Sequence, residues 1–204
     1  MADASTTRST PLLATLLTLV AAHRPAFGQE RPYQRCLALV LGHVCALGRH
    51  TVTQVLLALG LSQADWSGFY RLLSRPRLDY EQLTACFLGE TLDAVAVEQP
   101  YVVALDGVQV PRSSRTMPGT SWLKAPRTPP WKPGIHRAQR FVHLAWLTPA
   151  NALGYSRAIP LRWDPALPAK AVRPAEVAAQ KEWEVGPARL GWLRTQLDQA
   201  GRHA

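Results

Sequence analysis

The chain has 204 residues, 47% of them hydrophobic, and a formal net charge of +9. That excludes a disordered polymer and leaves one large domain or two small ones, long enough to bury a core. The charge is uneven, with eight basic and eight acidic side chains in residues 1–100 against fifteen and six in residues 101–204. A neutral half joined to a basic half implies a polyanionic partner for the second half.

Cys36, Cys45 and Cys86 form an odd set without paired spacing. They point to buried thiols in a reducing compartment, and hence to a cytoplasmic protein. His43, Cys45 and His50 fit no common zinc spacing. The apolar run Leu12 to Ala22 follows Arg8 and superficially resembles a secretion signal. Asp3 argues against that, and Leu13, Leu16, Leu17 and Val20 share one helical face, so an ordinary helix over 11–24 is expected. No apolar run reaches the length of a membrane span.

A second helix is expected from Tyr33 to Leu47, ended by Gly48. Thr51-Val52-Thr53-Gln54 has a capping-box form and opens a short helix through Leu59. After Gly60-Leu61, Ser62 is expected to cap a helix to Leu73, with Asp65 in its first turn. The pair over 51–73 has the look of a helix-turn-helix that offers Gln63, Ser67 and Arg71 to a groove, or of a plain helix pair. Asp79 and Gln82 start a further helix with a buried stripe of Leu83, Phe87, Thr91 or Leu92, and Val95. Gln99-Pro100 closes this all-helical region, residues 1–99.

Tyr101 to Leu105 runs apolar and ends on Asp106-Gly107, the pattern of a buried strand that delivers one acid to a sheet edge. Asp-Gly is also a favoured two-residue hairpin turn, with Val108 to Val110 as the return strand. From Gly107 to Trp163 there is no Asp or Glu, while Arg112, Arg115, Lys124, Arg127, Lys132, Arg137, Arg140, Arg157 and Arg162 lie in that span. A lone carboxylate before a field of cations suits metal-dependent work on a phosphodiester backbone. The proline-punctuated stretch 107–138 reads as a long basic loop in which Trp122 and Trp131 either stack on nucleic acid or pack the loop down. Strands follow at Gln139–Leu147 and Gly154–Trp163, antiparallel across a short turn at Pro149-Ala150-Asn151. A last helix is expected over Pro187–Ala200, with Gly186-Pro187 breaking or bending any extension back to Glu182-Trp183-Glu184. The fold class is therefore α+β, with three mainly antiparallel strands and a helix after the helical region.

Several linked motifs run in order through the second half. They are Leu105-Asp106-Gly107, Pro111-Arg112-Ser113-Ser114-Arg115, Met117-Pro118-Gly119, Trp122 to Thr128, Arg137 to Phe141, His143 to Leu147, Gly154 to Arg162, and Lys181-Glu182-Trp183-Glu184. Together they resemble insertion-sequence transposases of the DDE endonuclease superfamily, strongly over residues 100–202 and more loosely before. The resemblance implies an incomplete RNase H-like domain over 100–204, with Asp106 as the first catalytic and metal-binding acid. It implies DNA at transposon ends as the partner, contacted by Arg112, Ser113, Ser114, Arg115, Lys124, Arg127, Lys132, His136, Arg137 and Arg140, and leaves room for a homo-oligomer. His136 is expected as a loop donor and His143 on the sheet surface, with active-site bases as the alternative. The complete enzyme is expected to use Mg²⁺ or Mn²⁺. Family members carry a second Asp and a Glu beyond residue 202, so the chain reads as a truncated, N-terminal portion, with weak or absent metal binding and no DNA cleavage of its own. The competing readings are a DNA-binding regulator working through the helix-turn-helix, and a remnant with an association-prone sheet edge.

Overall fold

The structure is a computed structural model that describes residues 11–126, 129, 131 and 134–202. The chain divides into two compact units, one up to Glu90 and one from Thr91 onward. No helix among the described residues is long and apolar enough to cross a membrane.

The first unit is helical: α1 (Pro11–Ala22), a 3₁₀ turn (Arg24–Ala26), α2 (Glu30–Cys45), α3 (Val52–Ala58), α4 (Ser67–Ser74) and most of α5 (Tyr80–Asp93). Leu39 of α2, Val55 and Leu56 of α3 and Phe69 of α4 form a buried cluster flanked by Leu61, Trp66 and Leu72. The α2–α3 contact is close because Gly42 has no side chain; a Cβ there would lie 2.5 Å from Val55 Cγ1 and 2.8 Å from the Val55 carbonyl oxygen. Thr51 caps α3 by accepting from the Gln54 N–H at 3.3 Å. Gly60, at φ 71°, ends it, and the Leu61 N–H bonds back to the Leu56 carbonyl.

Two details differ from the sequence reading. The helix expected from Ser62 starts at Ser67, because the Asp65 carboxylate takes the Ser67 N–H at 2.9 Å and its hydroxyl at 2.8 Å. Residues 59–66 thus separate α3 from α4, where a helix-turn-helix needs a turn of about three or four. On α5 Thr84 and Leu88 are buried in place of the expected Leu83 and Phe87, while Thr91, and Val95 beyond the helix end, are buried as expected.

The second unit is a four-stranded antiparallel sheet with α6 (Glu182–Gln199) laid on it; the strands are β1 (Val103–Pro111), β2 (Thr120–Lys124), β3 (Ile135–Leu147) and β4 (Ala158–Ala166). The expected α+β class stands, with one strand more than expected. β3 is central: β1 pairs along one side of it, and β2 then β4 share the other. The span 107–138 is therefore not one loop, since it contains the second half of β1, all of β2 and the start of β3. Nor does Asp-Gly form a turn or end the strand: Asp106 and Gly107 sit mid-strand, opposite His143 and Val142. Nine consecutive cross-strand pairs outweigh the turn preference of two residues.

α6 covers one sheet face through Val185, which packs with Val142 and Ala166. Gly186 lets it come close, since a Cβ there would lie 2.9 Å from Leu105 Cδ2. The helix runs unbroken through Pro187. In its second turn, proline forgoes only the bond to the Trp183 carbonyl, and packing holds the rest. Beneath α6, buried Asp164 accepts from Arg162 Nε at 2.8 Å and forms an ion pair with Arg189, whose Nε lies 3.1 Å from the same oxygen, and Arg162 lies over the Trp192 ring at 5.2 Å. At the other end, Arg202 donates to the Leu92, Val95 and Ala96 carbonyls and closes the C-terminus of α5.

Two substitutions test this packing. Asp164→Ala removes the carboxylate shared by two guanidiniums in a dry site and should cost about 3–5 kcal/mol, read as a lower urea midpoint. Gly42→Ala gains about 1 kcal/mol of helix propensity but drives a methyl into Val55. The expected net result is a loss of about 1 kcal/mol or more, and a gain in stability would refute the close α2–α3 contact.

Candidate functional site

β1 presents alternate residues to opposite faces. Leu105 and Gly107 lie under α6, as their closeness to Gly186 and Glu182 shows. Asp106 therefore projects from the open face and is exposed. Across the strands it forms a row with His143 of β3 and Trp163 of β4. Its Oδ1 accepts from the Gly107 N–H at 2.7 Å. The His143 ring packs on Trp163 with centroids 4.6 Å apart, and Phe141 meets Trp163 edge-on at 6.1 Å. His143 Nε2 is buried without a hydrogen-bond partner among the described residues. Burial pushes the His143 pKa down, and the Asp106 charge pulls it partly back up.

The expected DNA-contacting residues separate into groups. Arg137 Nε donates to the Ser114 carbonyl at 2.8 Å, and its Nη2 donates to the Arg115 carbonyl at 2.6 Å and Thr120 Oγ1 at 3.0 Å. Arg112 Nε donates to Gln139 Oε1 at 2.9 Å, and Gln139 donates to the Pro118 carbonyl. Ser114 Oγ accepts from the Thr116 and Met117 N–H groups. These residues stitch the 112–119 loop to β3. Ser113, Arg115 and Lys124 are exposed. Arg127 and Lys132 lie outside the described residues.

Arg140 and His136 belong to the α6 side. Arg140 Nη1 pairs with Glu182 Oε2 at 3.0 Å. His136 is a strand residue, not a loop donor, and its Nε2 lies 2.8 Å from the Gln109 amide. With the Gln109 nitrogen turned toward His136, the amide also donates to the Lys124 carbonyl at 3.2 Å and accepts from Arg140 Nη2 at 3.0 Å. Trp122 and Trp131 are 56% and 85% exposed, so neither serves mainly to pack the loop down.

The sequence reading missed the closeness of Glu182 to β1. A Cβ on Gly107 would lie 2.8 Å from Glu182 Oε1, so this carboxylate rests on the strand beside Asp106, but on the opposite face. Asp164 is also on the α6 side. No cluster of three His, Cys, Asp or Glu suited to a metal occurs among the described residues.

The Asp106–His143 row makes a titration prediction. Asp106→Asn removes the charge that favours imidazolium, so the His143 pKa should fall further below its ordinary value. An NMR pH titration of the imidazole reads this directly, and an unchanged or higher pKa would show that the two groups do not sense each other.

With the geometry in place, comparison with known proteins gives one match: the family described as DDE superfamily endonuclease, over residues 24–202. No curated protein and no solved structure matches the chain. The matched span takes in most of both units, including β1 with Asp106 and all of α6, and the chain belongs to the DDE superfamily endonuclease family.

Proposed function

We propose that this chain engages DNA as part of a DDE transposase, with Asp106 as the first metal-binding carboxylate, and that alone it holds DNA without cutting it. Membership of the family implies DNA as the partner, and such endonucleases generally use a divalent metal such as Mg²⁺. The observation that carries the reading is the position of Asp106, exposed at mid-strand on the sheet face away from α6. We read the sheet as RNase H-like on the same ground, an acid on a long strand in an antiparallel set with a helix across one face.

The described residues do not fit a complete metal site. Asp106 offers two oxygens, whereas a divalent cation of this class takes about six oxygen ligands. Glu182 and Asp164, the acids nearest in the fold, point to the other face and are held by Arg140, Arg162 and Arg189. The remaining carboxylates must come from another segment or chain.

The test is a nicking assay on supercoiled plasmid with Mg²⁺ or Mn²⁺, run beside a DNA-binding titration. The expected outcome is salt-sensitive binding with no nicking. Robust nicking that disappears in Asp106→Ala would disprove the inactivity, and absence of any DNA binding would sink the whole reading.

A further inference from the structure

We propose that the helical unit carries its own binding site for the DNA phosphate backbone, in a cavity lined by Arg31, Arg35, Arg71, Arg75 and Arg77. The site rests on the reading that DNA is the partner, but uses no residue of the sheet. The cavity has a volume of about 200 Å³ and opens to solvent between α2 and α4.

The charge here is concentrated by sequence and again by folding. Residues 24–77 hold seven arginines against Glu30 and Asp65 alone, whereas residues 78–100 hold five acids and no basic residue. Glu30 is taken by Arg24 at 2.8 Å. Asp65 is held chiefly by Ser67 and reaches Arg71 only at 4.0 Å. Among the described residues, none of Arg31, Arg35, Arg75 and Arg77 has a carboxylate within ion-pair distance. Among the described residues, the ion-pair partner of these five guanidiniums is Asp65, at 4.0 Å from Arg71.

Local structure does not account for this. Arg31 and Arg35 sit four apart on α2, as Arg71 and Arg75 do across the end of α4, and like charges at that spacing destabilise a helix. The C-terminal end of α4 favours cations, which suits Arg71 and Arg75. The opposite end of α2 does not, yet Arg31 lies in its first turn. The fold also makes room for the cluster. Gly68 is buried on α4, and a Cβ there would sit 2.6 Å from Arg35 Nε, so the missing side chain seats the guanidinium.

An anion with several phosphates relieves this repulsion, and the planar fork of each guanidinium matches phosphate oxygens two at a time. Phosphates recur along each DNA strand about every 3.4 Å of helix axis. A cluster of arginines drawn from α2, α4 and the segment after α4 answers such a series better than a single ion. Arg71 donates to the Ser67 hydroxyl at 2.6 Å and lines this cavity, so it acts as a backbone contact rather than a reader of bases.

The experiment compares Arg75→Gln/Arg77→Gln with Arg112→Gln/Arg115→Gln in the full chain. A fluorescein-labelled duplex is titrated at several salt concentrations, and circular dichroism confirms folding. Arg75 and Arg77 are exposed, so the first pair should fold. It should weaken binding about tenfold at low salt and lower the slope of log K against log salt by roughly 1.8, two phosphate contacts at about 0.9 each. Gly68→Ala, which displaces Arg35, should weaken binding in the same direction.

Unchanged affinity and slope in the first pair, with a loss in the second, would overturn this site while leaving DNA as the partner. No binding by the unsubstituted chain would overturn both. Loss of inorganic phosphate binding without loss of duplex binding would mark a small-anion site and also overturn the proposal.

Discussion

β1 serves two faces at once, and its period of two sets what each face can do. Leu105 and Gly107 must be slim or apolar because α6 lies on them, with Gly186 and Glu182 close by. Asp106, between them, is turned to the open side by the same geometry. A shift of pairing by one residue would turn Asp106 toward α6 and Leu105 to the open face. The nine-pair register with β3 forbids that slip. The exposure of the acid is thus a consequence of how the other face packs, and the buried cluster of Val142, Ala166 and Val185 is what fixes it.

Depth of burial separates two kinds of ion pair on the α6 face. Arg162 and Asp164 are almost wholly buried, so their attraction works at low dielectric and their separation leaves a charge in a dry place. Arg140 and Glu182 are about one third exposed, and solvent screens much of their attraction. The second pair matters more for position than for energy. It keeps Glu182 folded onto Gly107 and away from the acid on the far side. Any metal chemistry at Asp106 therefore finds no help from the neighbouring carboxylates of this sheet.

Much of this was legible in the chain itself, where the signal was local. Thr51 announced its helix cap, Asp79 bonds the Gln82 N–H as its spacing suggested, and Asn151 turns the chain by taking the Leu153 and Tyr155 N–H groups. What stayed hidden depended on partners distant in sequence. Asp-Gly reads equally as turn or strand until β3 pairs with it. The first half of the buried stripe of α5 fell one residue away from the expected one, at Thr84 and Leu88 in place of Leu83 and Phe87, because periodicity gives the angle of a stripe only to within its neighbours. Pro187 looks like a break, yet packing on the sheet carries α6 through it. The arginine cavity was not visible at all, since Arg31 and Arg35 meet Arg71, Arg75 and Arg77 only after α2 and α4 pack.

Whether the hydrogen bonds made by the basic residues of the second unit use up their charge is decided by acceptor type. Arg137 and Arg112 bond to carbonyl, hydroxyl and amide oxygens, which are neutral, so each keeps its full charge. Arg140 and Arg162 bond to carboxylates, which cancel theirs at short range. By strand alternation Arg137 and Gln139 share the face of His143 and Asp106. Arg140 and Arg162 on the α6 face are therefore matched by carboxylates, while Arg137 on the other face is bonded to neutral oxygens. The arginines that fasten the 112–119 loop do so through neutral oxygens, so holding the loop in place costs them none of their charge.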